Sequence, residues 1–324
     1  MISTRKRSGF VLLLASLLAL AASAQTPSPV LIVLMRETPE MAFVDPASGK
    51  TLSRLPTGKG PHEVIASPDG KLAFVAVTDD DNILVIDVPA QKEIRRISIG
   101  PKSEPHGMVL IGGKLYFTAQ GYKLVVCYDL ASNKIDWLFG TGQDRTHMLV
   151  MTKDQNTIFV SNPESDTVVA IADILKGTRQ AKATVIPVGK WPEGIALSPD
   201  DKEVWVANRD SHTISIIDVA GKNVKETIPT QTIRSLRVEF TPDGQRALVA
   251  DARGDFVALD AATRKEIKRL QPGGRPPSSV SVLPDGSRAL IATDSVAVLD
   301  LKTLEITSHI PAGSVNAAIW VEQK

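Results

Sequence analysis

The sequence predicts an all-β chain assembled from one four-stranded unit repeated around a ring, and three observations carry that prediction. First, an eleven-residue phrase recurs as GPHEVIASPDG (60–70), EPHGMVLIGGK (104–114), RTHMLVMTKDQ (145–155) and WPEGIALSPDD (191–201). Aligned on the slot of His62, the later copies place His106, His147, Glu193, Leu236, Ser278 and Asn316 there, at spacings of 44, 41, 46, 43, 42 and 38 residues. Second, an aspartate column keeps the same beat: Asp45, Asp87, Asp129, Asp173, Asp218, Asp260 and Asp300. Third, after the N-terminal segment no stretch shows the 3.6-residue apolar period of a helix. Runs such as VWVAN and ISIIDV are β-branched and short, as antiparallel strands are. A period near 40–45 residues is that of propeller blades.

The elements follow in order. Arg5, Lys6 and Arg7 precede the apolar run FVLLLASLLALAA, and ASAQ then sets Ala22 and Ala24 in a small-x-small arrangement. This pattern predicts a cleaved secretory signal over residues 1–24 and a periplasmic or secreted protein. The run is short for a membrane span, and no Cys follows it to carry a lipid. Residues 25–324 then form a single domain. PVLIVLMR, EMAFVDPASG and KTLSRLPTG read as second, third and fourth strands with no first strand before them. In the next unit HEVIAS, LAFVAV, NILVIDV and EIRRISIG supply all four, with PDGK as a tight turn between the first two. Each column aspartate ends a third strand, where its carboxylate can accept N–H bonds from two residues on and fix the next hairpin. One insertion, DILKGTRQAKATVIPVG (173–189), widens that turn. The chain closes on a lone first strand, NAAIWVEQ. Placed inside the N-terminal three, it completes a seven-bladed β-propeller of four-stranded antiparallel blades with no open sheet edge at the seam.

Composition removes several function classes. The chain has 37 Lys and Arg against 36 Asp and Glu, and loss of Arg5, Lys6 and Arg7 with the signal leaves a formal −2. So even a balance gives no global reason to bind nucleic acid or anionic membrane. No transmembrane segment is expected after cleavage, and the protein is expected to be a monomer. With Cys127 as its one cysteine, the chain forms no internal disulfide and cannot carry a Cys-x-x-Cys-His haem attachment. No Gly-x-Ser-x-Gly elbow, His-Glu-x-x-His helix or Gly-rich phosphate loop occurs.

The phrases GPHEVIASPDGKLAFVAVTDDDNILVIDV and WPEGIALSPDDKEVWVANRDSHTISIIDVAGKNVKETIP resemble the YVTN-type, surface-layer-like β-propeller repeat family. The resemblance covers essentially the whole mature chain and implies an exported seven-bladed protein. It fixes no activity, since related propellers include lactonases, haem d1-binding domains and amine dehydrogenase subunits. Two copies depart from the pattern: IRSLRVEFTPDG lacks the P-x-G opening, and RTHMLVMTKDQ lacks both Pro and Gly.

The residue-level candidates lie where a loop enters the innermost strand. His62, His106 and His147 come from neighbouring blades, with Glu193 next in the ring. Such a set suits a transition-metal ion: zinc, copper or iron. In the alternative each ring braces a blade junction by bonding a loop carbonyl. Arg145, Arg234 and Arg275 precede inner strands and could clamp a carboxylate or phosphate, unless Asp144, Glu193 or Glu239 pairs them. Trp191 could wall a pocket, and His212 could reach the ring from a second-to-third strand loop. His309 reads as structural. The leading expectation is a non-catalytic propeller binding a protein or small-molecule partner on this face. The alternatives are a lactonase-type or metal-dependent hydrolase and a haem d1-type or other redox-cofactor binding propeller.

Overall fold

The computed structural model describes residues 28–177, 179–230 and 234–324. The expected signal segment 1–24 lies outside the described residues, within which no helix is long and apolar enough to cross a membrane. Seven sheets of four antiparallel strands form the ring. Blade 1 pairs the C-terminal strand Val315–Val321 with Val30–Met35, followed by Glu40–Val44 and Thr51–Pro56. Blades 2 to 7 then follow the chain, their innermost strands being Pro61–Ala66, Pro105–Ile111, Leu149–Met151, Pro192–Leu197, Ser235–Phe240 and Ser279–Val282. The seam register runs from Val30 opposite Val321 to Met35 opposite Val315.

Sequence pattern dictates which strands bury both faces. Second and third strands are continuous apolar runs, such as LAFVAV and NILVID, and are buried at nearly every position. The outer strand TLSRLP of blade 1 keeps one wet face, its positions alternating between half-buried and exposed. The core is therefore not one mass. Seven apolar clusters each join two neighbouring blades, as where Phe74 and Val85 of blade 2 meet Phe117 and Val126 of blade 3.

The aspartate column has the structural role expected of it, with a slightly longer reach. Oδ1 of Asp87 accepts from Ala90 N at 2.8 Å and that of Asp129 from Ser132 N at 2.7 Å, three residues on. Asp260 and Asp300 each take two backbone N–H groups, from two and three residues on. Asp173, at the insertion, is the exception: its own backbone is left-handed (φ 63°) and its carboxylate pairs with Lys176 at 3.0 Å.

Inner-strand pairing slips at the histidine slot. The register shifts between Pro61 and Glu63, between Pro105 and Met108, between Pro192 and Ile195, and between Ser235 and Arg237. Such bulges re-aim side chains. The glycine of P-x-G is explained by close approach rather than by φ. A Cβ on Gly107 would lie 2.8 Å from the His147 carbonyl oxygen and 2.8 Å from the Met148 Cα, and one on Gly194 would lie 2.6 Å from the Leu236 carbonyl oxygen.

Candidate functional site at the channel mouth

The three slot histidines meet. The His62 and His106 rings lie 4.3 Å apart between centres at 46°, and the His106 and His147 rings 4.0 Å apart at 32°. They form a stack, His62 at its half-exposed end and His106 and His147 each 2% exposed. Hydrogen bonds between blades hold the backbone beneath it. Thr78 Oγ1 donates to the Pro105 carbonyl at 2.9 Å, Gly107 N to that of His147 at 3.1 Å, Ser161 Oγ to that of Glu193 at 3.0 Å, and Asn316 Nδ2 to that of Pro61 at 2.9 Å.

Below the stack sits an ion pair absent from the sequence expectations. Glu63 on blade 2 is bound by Arg237 on blade 6, so the pair crosses the axial channel. Oε1 of Glu63 also lies 3.3 Å from His62 Nδ1. Burial would raise the Glu63 carboxyl, but Arg237 and then His62 hold it below the usual glutamate value. For His106 burial and then the neighbouring His147 and His62 push the imidazole well below its ordinary value, and for His147 burial and then Arg237 do the same. Both rings are thus neutral at physiological pH, and in each the buried Nδ1 meets no protein partner among the described residues.

Glu193 stands next in the ring but is engaged elsewhere. Its Oε2 accepts from Trp191 Nε1 at 2.7 Å and Arg209 Nη1 at 3.3 Å, while Oε1 is 3.9 Å from His147 Nε2. Two guanidinium groups lie over the Trp191 ring, Arg209 at 4.3 Å and Arg145 at 5.8 Å from its centre. The arginine partners differ from the expected acids, because turns of neighbouring hairpins supply them. Arg145 pairs with Glu164 at 3.5 Å, Arg234 with Asp210 at 3.7 Å, and Arg275 with Glu37 at 2.7 Å and Asp294 at 3.3 Å. His212 is exposed on its turn and joins none of the contacts described for the stack. His309 is exposed on the outer strand of blade 7, its Nδ1 3.1 Å from Ser295 Oγ.

Glu63, Arg237 and Arg209 were not singled out from sequence. The first two did leave a signal: they occupy the column one past the slot, where the other copies carry Gly107, Met148, Gly194, Ser279 and Ala317.

Deeper in the channel, Glu239 shares a cavity with Ile65, Ile319 and Trp320. Its side chain keeps surface open to the channel, yet protein surrounds it, and that desolvation pushes its carboxyl up to about 7 against the pull of Arg237. A raised carboxyl is protonated more readily in the folded state, so its charge opposes folding increasingly as pH rises from 4.5 to about 7. Glu239→Gln should therefore stabilise the protein at pH 8 more than at pH 5, by about 1 kcal/mol after discounting for channel water. Chemical denaturation at the two pH values measures this, and an equal effect at both refutes it.

Fold and site together define a seven-bladed propeller with a histidine-stacked axial mouth. The chain belongs to the YNCE-like β-propeller family, whose model matches residues 144–322, a close match to the YVTN-type resemblance. No curated protein matches the sequence. Among solved structures, a functionally unknown protein from Desulfotomaculum acetoxidans is 12% identical with TM-score 0.77, covering 92% of this chain and 100% of its own. A putative 6-phosphogluconolactonase from Bacteroides uniformis is 15% identical with TM-score 0.73, covering 90% and 99%. A hydrazine synthase from Kuenenia stuttgartiensis is 18% identical with TM-score 0.74, covering 84% and 92%. Likeness at such identities shows the fold alone.

Proposed function

We propose that the protein is an exported, non-catalytic binding propeller whose ligand or partner site is the histidine-bearing channel mouth. One observation carries this reading: three adjacent blades gather their imidazoles into a single stack and leave two buried Nδ1 atoms without protein partners. An unsatisfied buried polar atom costs about 1–3 kcal/mol, which an apolar filling of the same space would avoid. Stability alone therefore gives no reason for the arrangement. The rim agrees. Glu104, Arg145 and Trp191 stand at the position where blade 2 has Gly60, and all three hold left-handed backbone (φ 49°, 57° and 54°). A non-glycine residue there adds strain of about 1 kcal/mol or more, which glycine would avoid.

The test is a thermal-shift panel of divalent ions, carboxylates, sugar phosphates and lactones on the secreted form. We expect at least one class to raise the melting temperature of the parent protein and to fail with His106→Ala. A panel without effect, or an effect surviving that substitution, refutes the reading. Mass spectrometry should find Gln25 at the N-terminus of the exported chain, and retention of Met1 refutes export.

A second reading, a lactonase-type or metal-dependent hydrolase, is favoured by one contact. Glu63 lies beside His62 Nδ1 as carboxylates do beside general bases, and His62 is half-exposed. Lactone or ester turnover lost in His62→Gln would establish it.

A further inference from the structure

We propose that His62, Glu63 and His106 form a two-histidine, one-carboxylate site for a first-row divalent transition-metal ion, an inference that rests on the ligand reading of the channel mouth. One ligand atom from each of the three side chains lies within 4.8 Å of the other two. The ring spacing matches one coordination better than another. If both imidazole nitrogens sit ~2.1 Å from one ion, ring centres 4.3 Å apart subtend about 85° there. That is close to the right angle of a facial octahedral set, whereas a tetrahedral pair would separate the centres by roughly 5 Å.

The other groups fit this assignment. Arg237 binds the Glu63 carboxylate from the opposite side of the channel and holds it in place, the part that outer partners of metal ligands play. The Nδ1 of His106 is buried and has no protein partner, as a nitrogen kept for an ion would be. His62, with 42% of its side chain exposed, gives the ion a route from solvent. His147 and Glu193 are not in the set. Among the described residues neither brings a ligand atom within 4.8 Å of all three, and Glu193 already accepts from Trp191 and Arg209. The ligands therefore differ from the four that the repeat column suggests. A facial triad leaves three positions on the ion for water or for donor atoms of a ligand entering past Trp191.

The probe is cobalt(II), added to chelator-treated protein and followed by calorimetry and visible absorption. We expect one ion per chain with the weak bands of a five- or six-coordinate centre. His62→Gln, His106→Gln and Glu63→Gln should each weaken binding by about tenfold or more. His212→Gln, on an exposed turn outside the stack, should bind as the parent does. Melting temperatures in chelator check that the variants are folded, and if a buried substitution unfolds the chain, His62→Gln at its half-exposed position supplies the same test. No saturable binding, parental affinity in Glu63→Gln, or the intense bands of a tetrahedral centre in the parent protein would each overturn the proposal. The two readings fail separately. Carboxylate or sugar-phosphate stabilisation without saturable cobalt binding keeps the binding site and removes the metal, whereas inert carboxylates, sugar phosphates and lactones alongside stoichiometric cobalt keep the metal and remove the organic ligand.

Discussion

Deleting residues 314–324 should leave a chain that does not fold to a closed ring. The lost strand contributes Val315, Ala317, Ala318 and Val321, all at most 5% exposed, and pairs with Val30–Met35 along its whole length. Its removal uncovers a six-residue strand that is buried at every position, VLIVLM, and turns it into an edge. The neighbours suffer too, because the strand also packs against the inner strands of blades 2 and 7. Asn316 Nδ2, which binds the Pro61 carbonyl next to His62, is lost as well. The combined loss exceeds about 5 kcal/mol and so consumes the stability of an ordinary domain. Circular dichroism and limited proteolysis should show loss of the cooperative transition. Removing residues 25–27 should change little. A deletion that keeps the parental melting temperature would disprove the closure.

Gly107→Ala should damage both the stability and the site. The added methyl meets the His147 carbonyl oxygen and the Met148 Cα, both at 2.8 Å, and neither is the yielding end of a side chain. Blades 3 and 4 must separate there, and the Gly107 N–H bond to His147, 3.1 Å long, lengthens or breaks. Overpacking of this kind costs about 1–3 kcal/mol, and the lost hydrogen bond adds about 1. The same movement pulls the His106 ring away from His147, so ligand-induced stabilisation should fall more than stability does. Gly140→Ala is the control, since its backbone φ is ordinary and the nearest atom to an added methyl, Leu124 Cδ2, is 3.9 Å away. Equal melting temperatures for Gly107→Ala and Gly140→Ala would refute the argument.

Most of the fold was legible because propeller blades are made by local rules. Turn residues bound each strand, the pleat alternates side chains with period two, and the aspartates cap hairpins through N–H groups two or three residues away. Ring closure was legible by counting strands, since the unit missing its first strand and the strand missing its unit can satisfy each other. The slot was legible as a column. Its residues recur in phase, so His62, His106 and His147 had to rise to the same height in adjacent blades.

What the sequence determined by itself, then, was the blade, the number of blades and the height of the histidines. The tertiary structure alone decided which side chains meet across the axis. Glu63 and Arg237 lie 174 residues apart and belong to blades on opposite sides of the channel. No local pattern carries that distance, and periodicity says only that two positions share a level. Their direction is set by the bulges at Pro61–Glu63 and Ser235–Arg237, which break the very alternation that a period-two reading relies on. The arginine partners escaped for a related reason: an exposed guanidinium takes whichever carboxylate a neighbouring turn brings within reach, and closure of the ring decides which turn that is.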